Sequence, residues 1–357
     1  MYTLDELCIE ITGKCLMKCR HCSSACTEAN ATFLSLESIL AILNDARLLG
    51  TKTIEISGGE PLLHPRILEI IEAAKKDFEV RLYTSGFLGD SCGIPEELVS
   101  RLCDLRLDRL IFNLQGASAE IHEQVSMTPG SFNSVIASIR RAKAAGLWTG
   151  VHFVPMIPNF KEIGALAKLC STLGVNELAI LRFVNQGRGS IIGGELELSN
   201  DDFHALILEV VREKRVNNTL QIRTGCPMNF CSFVDSDIKP VQCKAGVSTL
   251  LITFDGDIVP CPAFKQARDF TVGNIHQSSL YKLWQQSNQL LQLRTFDFHK
   301  IRGCSECKRV DVCQGRCMAQ RFYATGSIYE GPDPLCPYQK EFKVVCRNDL
   351  PLICTGA

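Results

Sequence analysis

The stretch that decides the fold, residues 7–22, has the sequence LCIEITGKCLMKCRHC. Its first half, Leu7–Thr12, is apolar enough to predict a buried strand. Three cysteines follow that strand at C-x3-C-x2-C spacing: Cys15, Cys19 and Cys22. Three thiolates this close can hold one iron–sulfur cube and leave its fourth iron open for chemistry. A zinc ion with His21 or Cys26 as its fourth ligand is the alternative that the spacing leaves open.

A second motif, Ser57-Gly58-Gly59-Glu60-Pro61, follows the next predicted strand, Thr53–Ser57. Glycines let the backbone approach a ligand closely, and a carboxylate beside them can receive an ammonium group. Taken alone, Gly-Gly-Glu-Pro is typical of a simple turn. Because both motifs follow strands of one parallel sheet, we expect them at its carboxyl-terminal mouth, where barrel enzymes have their active sites.

The first 190 residues alternate short apolar runs with helical periods, which predicts a parallel sheet with helical crossovers. Ser35, for example, can cap a helix that ends near Gly50. The strand predictions are Leu7–Thr12, Thr53–Ser57, Val80–Thr84, Leu110–Leu114, Gly150–Val154 and Glu177–Phe183. Six such units are fewer than the eight of a full barrel. The fold class is therefore α/β, with a partial six-unit (β/α) barrel over residues 1–190 that is open on one side.

The rest of the chain lacks this regular alternation of predicted strands and helices. Residues 191–225 form a bridge with a predicted helix at Asp201–Arg215, and residues 226–340 form a small cysteine-rich α+β domain. In that domain Asp255-Gly256 predicts the turn of a β-hairpin, Ser279–Leu293 predicts one helix, and the rest is expected to be loop. Such a segment buries too little surface to fold alone, so metal is expected to staple it. Residues 341–357 are assigned as a tail.

Composition excludes several function classes. The 357 residues carry 38 Lys plus Arg against 39 Asp plus Glu, so no basic excess predicts a nucleic-acid partner. No apolar run approaches the roughly 20 residues of a membrane span. The first ten residues lack the features of a signal peptide, so a cytoplasmic location is expected. In that setting the 19 cysteines predict metal binding rather than disulfides.

Together, the two N-terminal motifs resemble those of the radical SAM superfamily, over the whole first half of the chain. The resemblance implies that Cys15, Cys19 and Cys22 hold a 4Fe–4S cluster whose open iron binds S-adenosylmethionine. It implies that residues 58–60 contact the methionyl amine and that His21 packs near the adenine. The family often has an aromatic residue at the position of His21, which is a mild departure.

Four more residues stand at strand ends where the family often contacts the cofactor: Thr84, Ser85, Asn113 and Arg182. For Thr84, Ser85 and Arg182, hydrogen bonds to loop backbone are as well supported as contact with the cofactor. For Asn113, contact with the cofactor is favoured. Three other polar residues near strand ends are candidates for substrate contact: Asn159, Gln186 and Arg188.

Seven cysteines crowd the last third of the chain: Cys243, Cys261, Cys304, Cys307, Cys313, Cys317 and Cys336. Because C-x2-C is a common zinc spacing, spacing alone does not separate zinc from iron–sulfur. The array resembles, at every interval, the SPASM extension of some radical SAM proteins, over about residues 226–340.

The SPASM resemblance implies two auxiliary 4Fe–4S clusters, and so three clusters in the chain. The first would be held by Cys243, Cys261 and Cys317, with a fourth ligand from Cys226 or Cys231. The second would be held by four cysteines: Cys304, Cys307, Cys313 and Cys336.

The implied reaction starts when an electron from a flavodoxin- or ferredoxin-type donor cleaves the bound sulfonium reductively. The resulting 5′-deoxyadenosyl radical removes hydrogen from a substrate carbon, and auxiliary clusters can accept a second electron. This favours a net oxidation or a cross-link over an isomerisation.

Oxidative modification of a peptide or protein side chain is the favoured function. The chain starts directly at its first strand, without room for an N-terminal leader-binding module, and Pro262 replaces an Asp of sulfatase-maturing relatives. A dehydrogenase or epimerase of small molecules such as aminoglycoside sugars therefore stays open. A non-catalytic electron-transfer protein is the alternative of another class, but it needs no cosubstrate pocket.

Overall fold

The computed structural model describes residues 2–90 and 92–338, so the predicted tail at 341–357 lies outside the described residues. Within them the strands of one sheet are β1 (Glu6–Glu10), β2 (Thr53–Ser57), β3 (Glu79–Thr84), β4 (Arg109–Asn113), β5 (Thr149–Phe153), β6 (Glu177–Ile180), β7 (Gln221–Thr224), β8 (Thr249–Ile252), β9 (Asp257–Val259) and β10 (Gly273–Asn274). All six predicted strands are present, with ends that differ from the predictions by a few residues.

The strand order is β10-β9-β8-β1-β2-β3-β4-β5-β6-β7. Strands β1 to β7 pair in parallel with their neighbours in sequence, as helical crossovers require. This confirms the α/β partial barrel. The bridge region supplies β7, which the sequence analysis did not predict.

The cysteine-rich domain is part of the same sheet. Its predicted hairpin is confirmed as β8 and β9, and β8 pairs in parallel with β1, placing Leu7 beside Leu250. β10 then pairs with β9 in antiparallel fashion. The hairpin therefore covers the β1 edge of the barrel.

The helices are α1 (Leu36–Leu48), α2 (Ile67–Ala74), α3 (Glu96–Asp104), α4 (Ala119–Ser126), α5 (Ser131–Ala144), α6 (Ile163–Thr172), α7 (Arg188–Ile192), α8 (Asn200–Val216), α9 (Cys231–Val234), α10 (Leu280–Gln286), α11 (Asn288–Arg294), α12 (Val310–Cys313) and α13 (Met318–Thr325). Ser35 caps α1 as predicted, since its side chain accepts a hydrogen bond from the Ser38 amide.

Two helix predictions in the cysteine-rich domain were wrong. The single helix expected over Ser279–Leu293 is two helices, α10 and α11, because Ser287 has extended backbone angles and its side chain caps α11 by accepting from the Leu290 amide. The region expected to be loop contains α12 and α13, each of which begins or ends at a cysteine of the predicted metal array.

The apolar core lies mainly between the sheet and the helices of the barrel. A second, much smaller cluster belongs to the cysteine-rich domain and includes Phe264, Phe270 and Met318 together with Cys317. No described helix is long and apolar enough to cross a membrane.

Candidate functional site

The first cysteine loop leaves the carboxyl end of β1 and brings its three thiols together. The three sulfur atoms lie close enough that the negative charge of each thiolate would act on the other two. Burial is the main cause that raises the pKa of Cys15 to about 12 and that of Cys19 still further. Without a metal these two thiols stay protonated, so binding iron releases their protons.

The two glycines of the second motif pack directly against this loop. The Gly59 amide donates to the Thr12 carbonyl over 2.7 Å, and the Glu60 amide donates to the Lys14 carbonyl over 2.8 Å. A side chain at Gly59 would overlap the Lys14 carbonyl. Gly58 has a φ of +129°, a value that L side chains rarely adopt. Glycine is thus required here by the approach of the cysteine loop, a contact that the sequence reasoning assigned to a ligand.

Glu60 has no exposed surface, and its carboxylate accepts hydrogen bonds from several donors of the protein. It accepts hydrogen bonds from the Thr84 hydroxyl at 2.9 Å, the Ser85 amide at 2.7 Å, the Ser85 hydroxyl and the Leu62 amide at 3.1 Å. Burial raises the pKa of Glu60, and these hydrogen bonds oppose that rise. Thr84 and Ser85, which were predicted to bind the cofactor, orient Glu60 in this structure.

The other predicted cofactor residues lie in different surroundings. The His21 Nδ1 is buried and has no hydrogen-bond partner among the described residues, and burial together with the Arg188 charge lowers the pKa of His21 to about 4. A neutral ring with an open nitrogen beside the cysteines suits contact with a ligand. Asn113 ends β4 at the mouth of the barrel.

Arg182 lies just beyond β6 and forms an ion pair with Asp333 over 2.7 Å, with 5% and 2% of the side chains exposed. Its guanidinium therefore joins the barrel to the cysteine-rich domain. Two of the candidate substrate residues also hold loops. Asn159 donates to the carbonyls of Gln115 and Val154, and Gln186 donates to that of Pro262.

Arg188, the third candidate substrate residue, clamps the cysteine loop. Its Nε donates to the Cys19 carbonyl over 2.9 Å, its Nη1 donates to the Cys26 carbonyl over 2.6 Å, and its amide donates to the Cys22 carbonyl over 3.0 Å. The positive charge of Arg188 also acts on Cys15, Cys19 and Cys22 and favours their thiolate forms. Arg188 thus fixes the shape of the cysteine loop and compensates negative charge within it.

The sequence analysis missed a buried ion pair at the same place. Lys265 Nζ lies 2.5 Å from Glu10 Oε1 and also donates to the hydroxyls of Ser23 and Ser24. The lysine and glutamate side chains are 10% and 3% exposed. The sequence feature that could have predicted this ion pair is Glu10, an acidic residue inside an apolar strand. A buried carboxylate needs a positively charged partner, but only the fold shows which residue that partner is.

The C-terminal cysteines fall into the two predicted groups. Cys261 is close enough to Cys243 and Cys317 for their charges to interact. A second group forms around Cys313, which interacts with Cys304 and Cys336, while Cys304 interacts with Cys307. Cys317 leaves its sequence neighbours to join the first group, as the interleaved pattern implies.

Of the two upstream candidates for a fourth ligand, Cys231 is fully buried at the start of α9. The charges that act on it are those of Lys214 and Arg316. Cys226 lies in a short 3-10 helix, Cys226–Met228, where only its backbone is described. Within the described residues, no three His, Cys, Asp or Glu side chains converge closely enough for a single metal ion.

A cavity of about 270 Å³ lies between the barrel edge and the cysteine-rich domain. Its lining includes Leu181 and Phe183 after β6, Phe203 of α8 and Tyr323 of α13. Asn185 also lines it, with an Oδ1 that has no hydrogen-bond partner among the described residues. A mainly apolar pocket with an open polar group is suited to an organic side chain.

Comparison with known families agrees with this arrangement. Residues 9–170 match the radical SAM superfamily, and residues 243–308 match SPASM, an iron–sulfur cluster-binding domain. The two matched segments contain the first cysteine loop and four of the seven C-terminal cysteines. The second match favours iron–sulfur over the zinc alternative.

In sequence, the chain is 24% identical over 352 residues to an AdoMet-dependent heme synthase of Oleidesulfovibrio alaskensis, covering 94% of this chain and 87% of that protein. It is 27% identical over 334 residues to the mycofactocin maturase MftC of Mycobacterium tuberculosis, covering 92% and 81%. In structure, SuiB of Streptococcus suis bound to S-adenosylmethionine superposes with a TM-score of 0.74 at 19% identity, covering 94% and 77%. The likeness to SuiB shows the fold.

Proposed function

Because this chain belongs to the radical SAM superfamily and carries a SPASM domain, we propose that it is an oxidative peptide- or protein-modifying enzyme. The cluster at Cys15, Cys19 and Cys22 binds S-adenosylmethionine at its open iron. The bound cofactor supplies a 5′-deoxyadenosyl radical that removes hydrogen from a substrate carbon. An electron from a flavodoxin- or ferredoxin-type donor starts the reaction.

One observation carries this proposal: the Gly-Gly-Glu segment is hydrogen-bonded to the cysteine loop itself. Because the Gly59 and Glu60 amides bond to the Thr12 and Lys14 carbonyls, the carboxylate of Glu60 has a fixed place beside the thiols. A cosubstrate that bridges an open iron and a carboxylate needs such a fixed separation. An electron-transfer protein has no such need, so this feature speaks against that alternative.

Each protein group then has a defined task. Thr84 and Ser85 hold the Glu60 carboxylate in one orientation, where it receives the cosubstrate ammonium group. His21 presents a neutral ring for the adenine, and Asn113 ends β4 where the ribose is expected. Arg182 is assigned a bridging role through Asp333 in place of cofactor contact.

The two C-terminal cysteine groups support two auxiliary clusters, and so three 4Fe–4S clusters in total. Cys243, Cys261 and Cys317 serve one cluster. The other auxiliary cluster would be held by Cys304, Cys307, Cys313 and Cys336. Clusters held by these two groups of cysteines would supply an acceptor for a second electron, which would suit dehydrogenation or cross-linking.

A peptide substrate is supported by the similarity to MftC, a maturase. SuiB, which shares the fold, has been solved with its precursor peptide SuiA. The cavity beside Asn185 and Tyr323 is suited to a side chain of such a peptide. A second candidate, modification of a small organic molecule, is favoured by the similarity to the heme synthases over 94% of the chain.

The activity is tested by incubating the anaerobically reconstituted, reduced protein with S-adenosylmethionine and measuring 5′-deoxyadenosine. We expect its formation in the wild type and none in the variant without Cys15, Cys19 and Cys22. A protein that carries its clusters but forms no 5′-deoxyadenosine would support the electron-transfer alternative.

The substrate class needs a separate experiment. Deuterium transfer into 5′-deoxyadenosine from peptides encoded beside the gene, compared with transfer from labelled porphyrins and sugars, separates the two candidates. Label from a peptide supports the maturase proposal, and label from a small molecule alone contradicts it.

A further inference from the structure

Arg316 is a buried charge that the protein leaves unsatisfied. It is 2% exposed, and its Nε, Nη1 and Nη2 atoms have no hydrogen-bond partner among the described residues. Arg321, equally buried five residues later, donates to the carbonyls of Gly315, Ile328 and Gly331. Since an ionised group without partners is strongly unfavourable in a protein interior, Arg316 needs acceptors for its N–H groups, and the first of the groups whose negative charge acts on it is Cys313.

The backbone around Arg316 is held in an unusual conformation. Gln314, Gly315 and Arg316 have successive φ values of +54°, +65° and +60°. Two of these residues are not glycine, and left-handed backbone is unfavourable for them. Such strain persists where the surrounding structure imposes it, commonly at functional sites. This turn joins Cys313 to Cys317 and carries Arg316 inward.

The surroundings of the guanidinium show the kind of acceptor that it needs. The central carbon of the guanidinium lies over the ring of Phe230. The charges of opposite sign that act on it are those of Cys313, Asp333 and Cys336. Asp333 is already paired with Arg182. Besides this carboxylate, which Arg316 shares with Arg182, the anionic neighbours of Arg316 are two cysteines of the second group.

We propose that Arg316 donates hydrogen bonds to sulfur atoms of the second auxiliary cluster, held by Cys304, Cys307, Cys313 and Cys336, and thereby raises its reduction potential. The proposal rests on the cluster assignment made above. A cation in contact with the cluster stabilises the reduced form, which carries one more negative charge. The second cluster is thus easier to reduce than it would be without Arg316.

The test uses anaerobically reconstituted full-length protein in an EPR-monitored redox titration with dithionite. In Arg316→Met we expect the ratio of reduced to oxidised second cluster to fall at least tenfold at a fixed potential, about 59 mV for a one-electron couple. Arg316→Lys keeps the charge but loses the forked set of N–H donors, so the potential of its second cluster is expected to lie between those of the wild type and Arg316→Met. The other clusters keep their potentials.

The matched control is Arg309→Met. Arg309 is exposed and packs beside Phe233 and Tyr338, two residues beyond Cys307. The Arg309→Met variant removes the same charge close in sequence to Cys307, where solvent screens the charge. An unchanged potential in Arg316→Met, or an equal shift in Arg309→Met, overturns the proposal.

If Arg316→Met does not assemble its second cluster, the proposed hydrogen bonds can still be tested by a measurement on the wild-type protein. With ¹⁵N-arginine incorporated, pulsed EPR of the reduced second cluster is expected to show a nitrogen coupling that disappears in Arg316→Lys. No coupling in the wild type, or a coupling that survives in Arg316→Lys, overturns the proposal. A wild type without this cluster would instead refute the cluster assignment, so the two failures are distinguishable.

Discussion

The two cofactor regions of this molecule treat buried charge in opposite ways. In the barrel, the buried carboxylate of Glu60 receives hydrogen bonds from Thr84, Ser85 and Leu62, so the site is built before any ligand arrives. In the cysteine-rich domain, the guanidinium of Arg316 has no acceptor among the described residues. The barrel therefore satisfies its buried charge with its own groups, whereas the C-terminal domain contains a buried charge without a hydrogen-bond partner among the described residues.

Packing shows the same contrast. The main core contains the apolar faces of the barrel helices and strands together with Leu250, Trp284 and Leu290 of the C-terminal domain, while the small second core includes Cys317, a predicted cluster ligand. A small core that includes a predicted metal ligand is expected to depend on metal for its folding free energy. The predictions below test this contrast, beginning with the largest expected effect.

Removing the ligands of each region should have different structural results. Wild-type protein should carry about 12 iron atoms from three four-iron cubes. Alanine at Cys15, Cys19 and Cys22 should leave about eight, abolish 5′-deoxyadenosine formation and preserve resistance to proteolysis. Alanine at Cys304 and Cys313 should also leave about eight, but with cleavage within residues 226–338. Equal resistance in both variants, or zinc in place of the C-terminal iron, would refute the contrast.

Breaking the ion pair that links the regions should be the next largest effect. Lys265→Met leaves Glu10 buried without its partner and should lower the free energy of unfolding by about 3–5 kcal/mol. Lys244→Met breaks a pair with Glu6 whose side chains are 51% and 28% exposed, and should cost about 0–1 kcal/mol. Anaerobic urea titrations followed by circular dichroism measure both. The double variant Glu10→Gln/Lys265→Met should recover stability; equal losses in the two single variants would contradict the bridging role.

Glu60→Gln tests whether the barrel site is built for a cationic group. Loss of the charge should weaken S-adenosylmethionine binding by about 10- to 150-fold, equivalent to roughly 1.5–3 kcal/mol, with iron content unchanged. Ser85→Ala removes a donor to the carboxylate and should weaken binding by about 2- to 12-fold. Equilibrium dialysis measures both dissociation constants. An unchanged constant in Glu60→Gln would remove Glu60 from the site.

The smallest effect expected is that of Cys231. It is fully buried, and the charges acting on it are those of Lys214 and Arg316, so we expect Cys231→Ala to leave iron content and Mössbauer spectra unchanged. Cys226→Ala should alter the signal of one iron site in the first auxiliary cluster. The reverse result would assign the ligand to Cys231. No change in either variant would mean an open fourth iron and a candidate substrate-binding site.

Much of the fold followed from local sequence. The strands of the barrel were predicted because their apolar runs alternate with helical periods, and the helix after Ser35 because its cap and apolar stripe lie within one short window. The grouping of the seven C-terminal cysteines was implied by the SPASM resemblance. The helices α12 and α13 were missed because they are short and their apolar periods are interrupted by cysteines and charges.

The sequence by itself determined the parallel sheet, because hydrophobic periodicity is a local property of the chain, and its cysteine motifs implied iron–sulfur chemistry through their resemblance to known families. The tertiary structure alone decided which distant groups meet: Lys265 with Glu10, Arg188 with the cysteine loop, Arg182 with Asp333, and β8 with β1. These partners lie more than 150 residues apart in the chain. No local pattern encodes such pairings, because a buried charge specifies that it needs a partner but not which segment the fold brings to it.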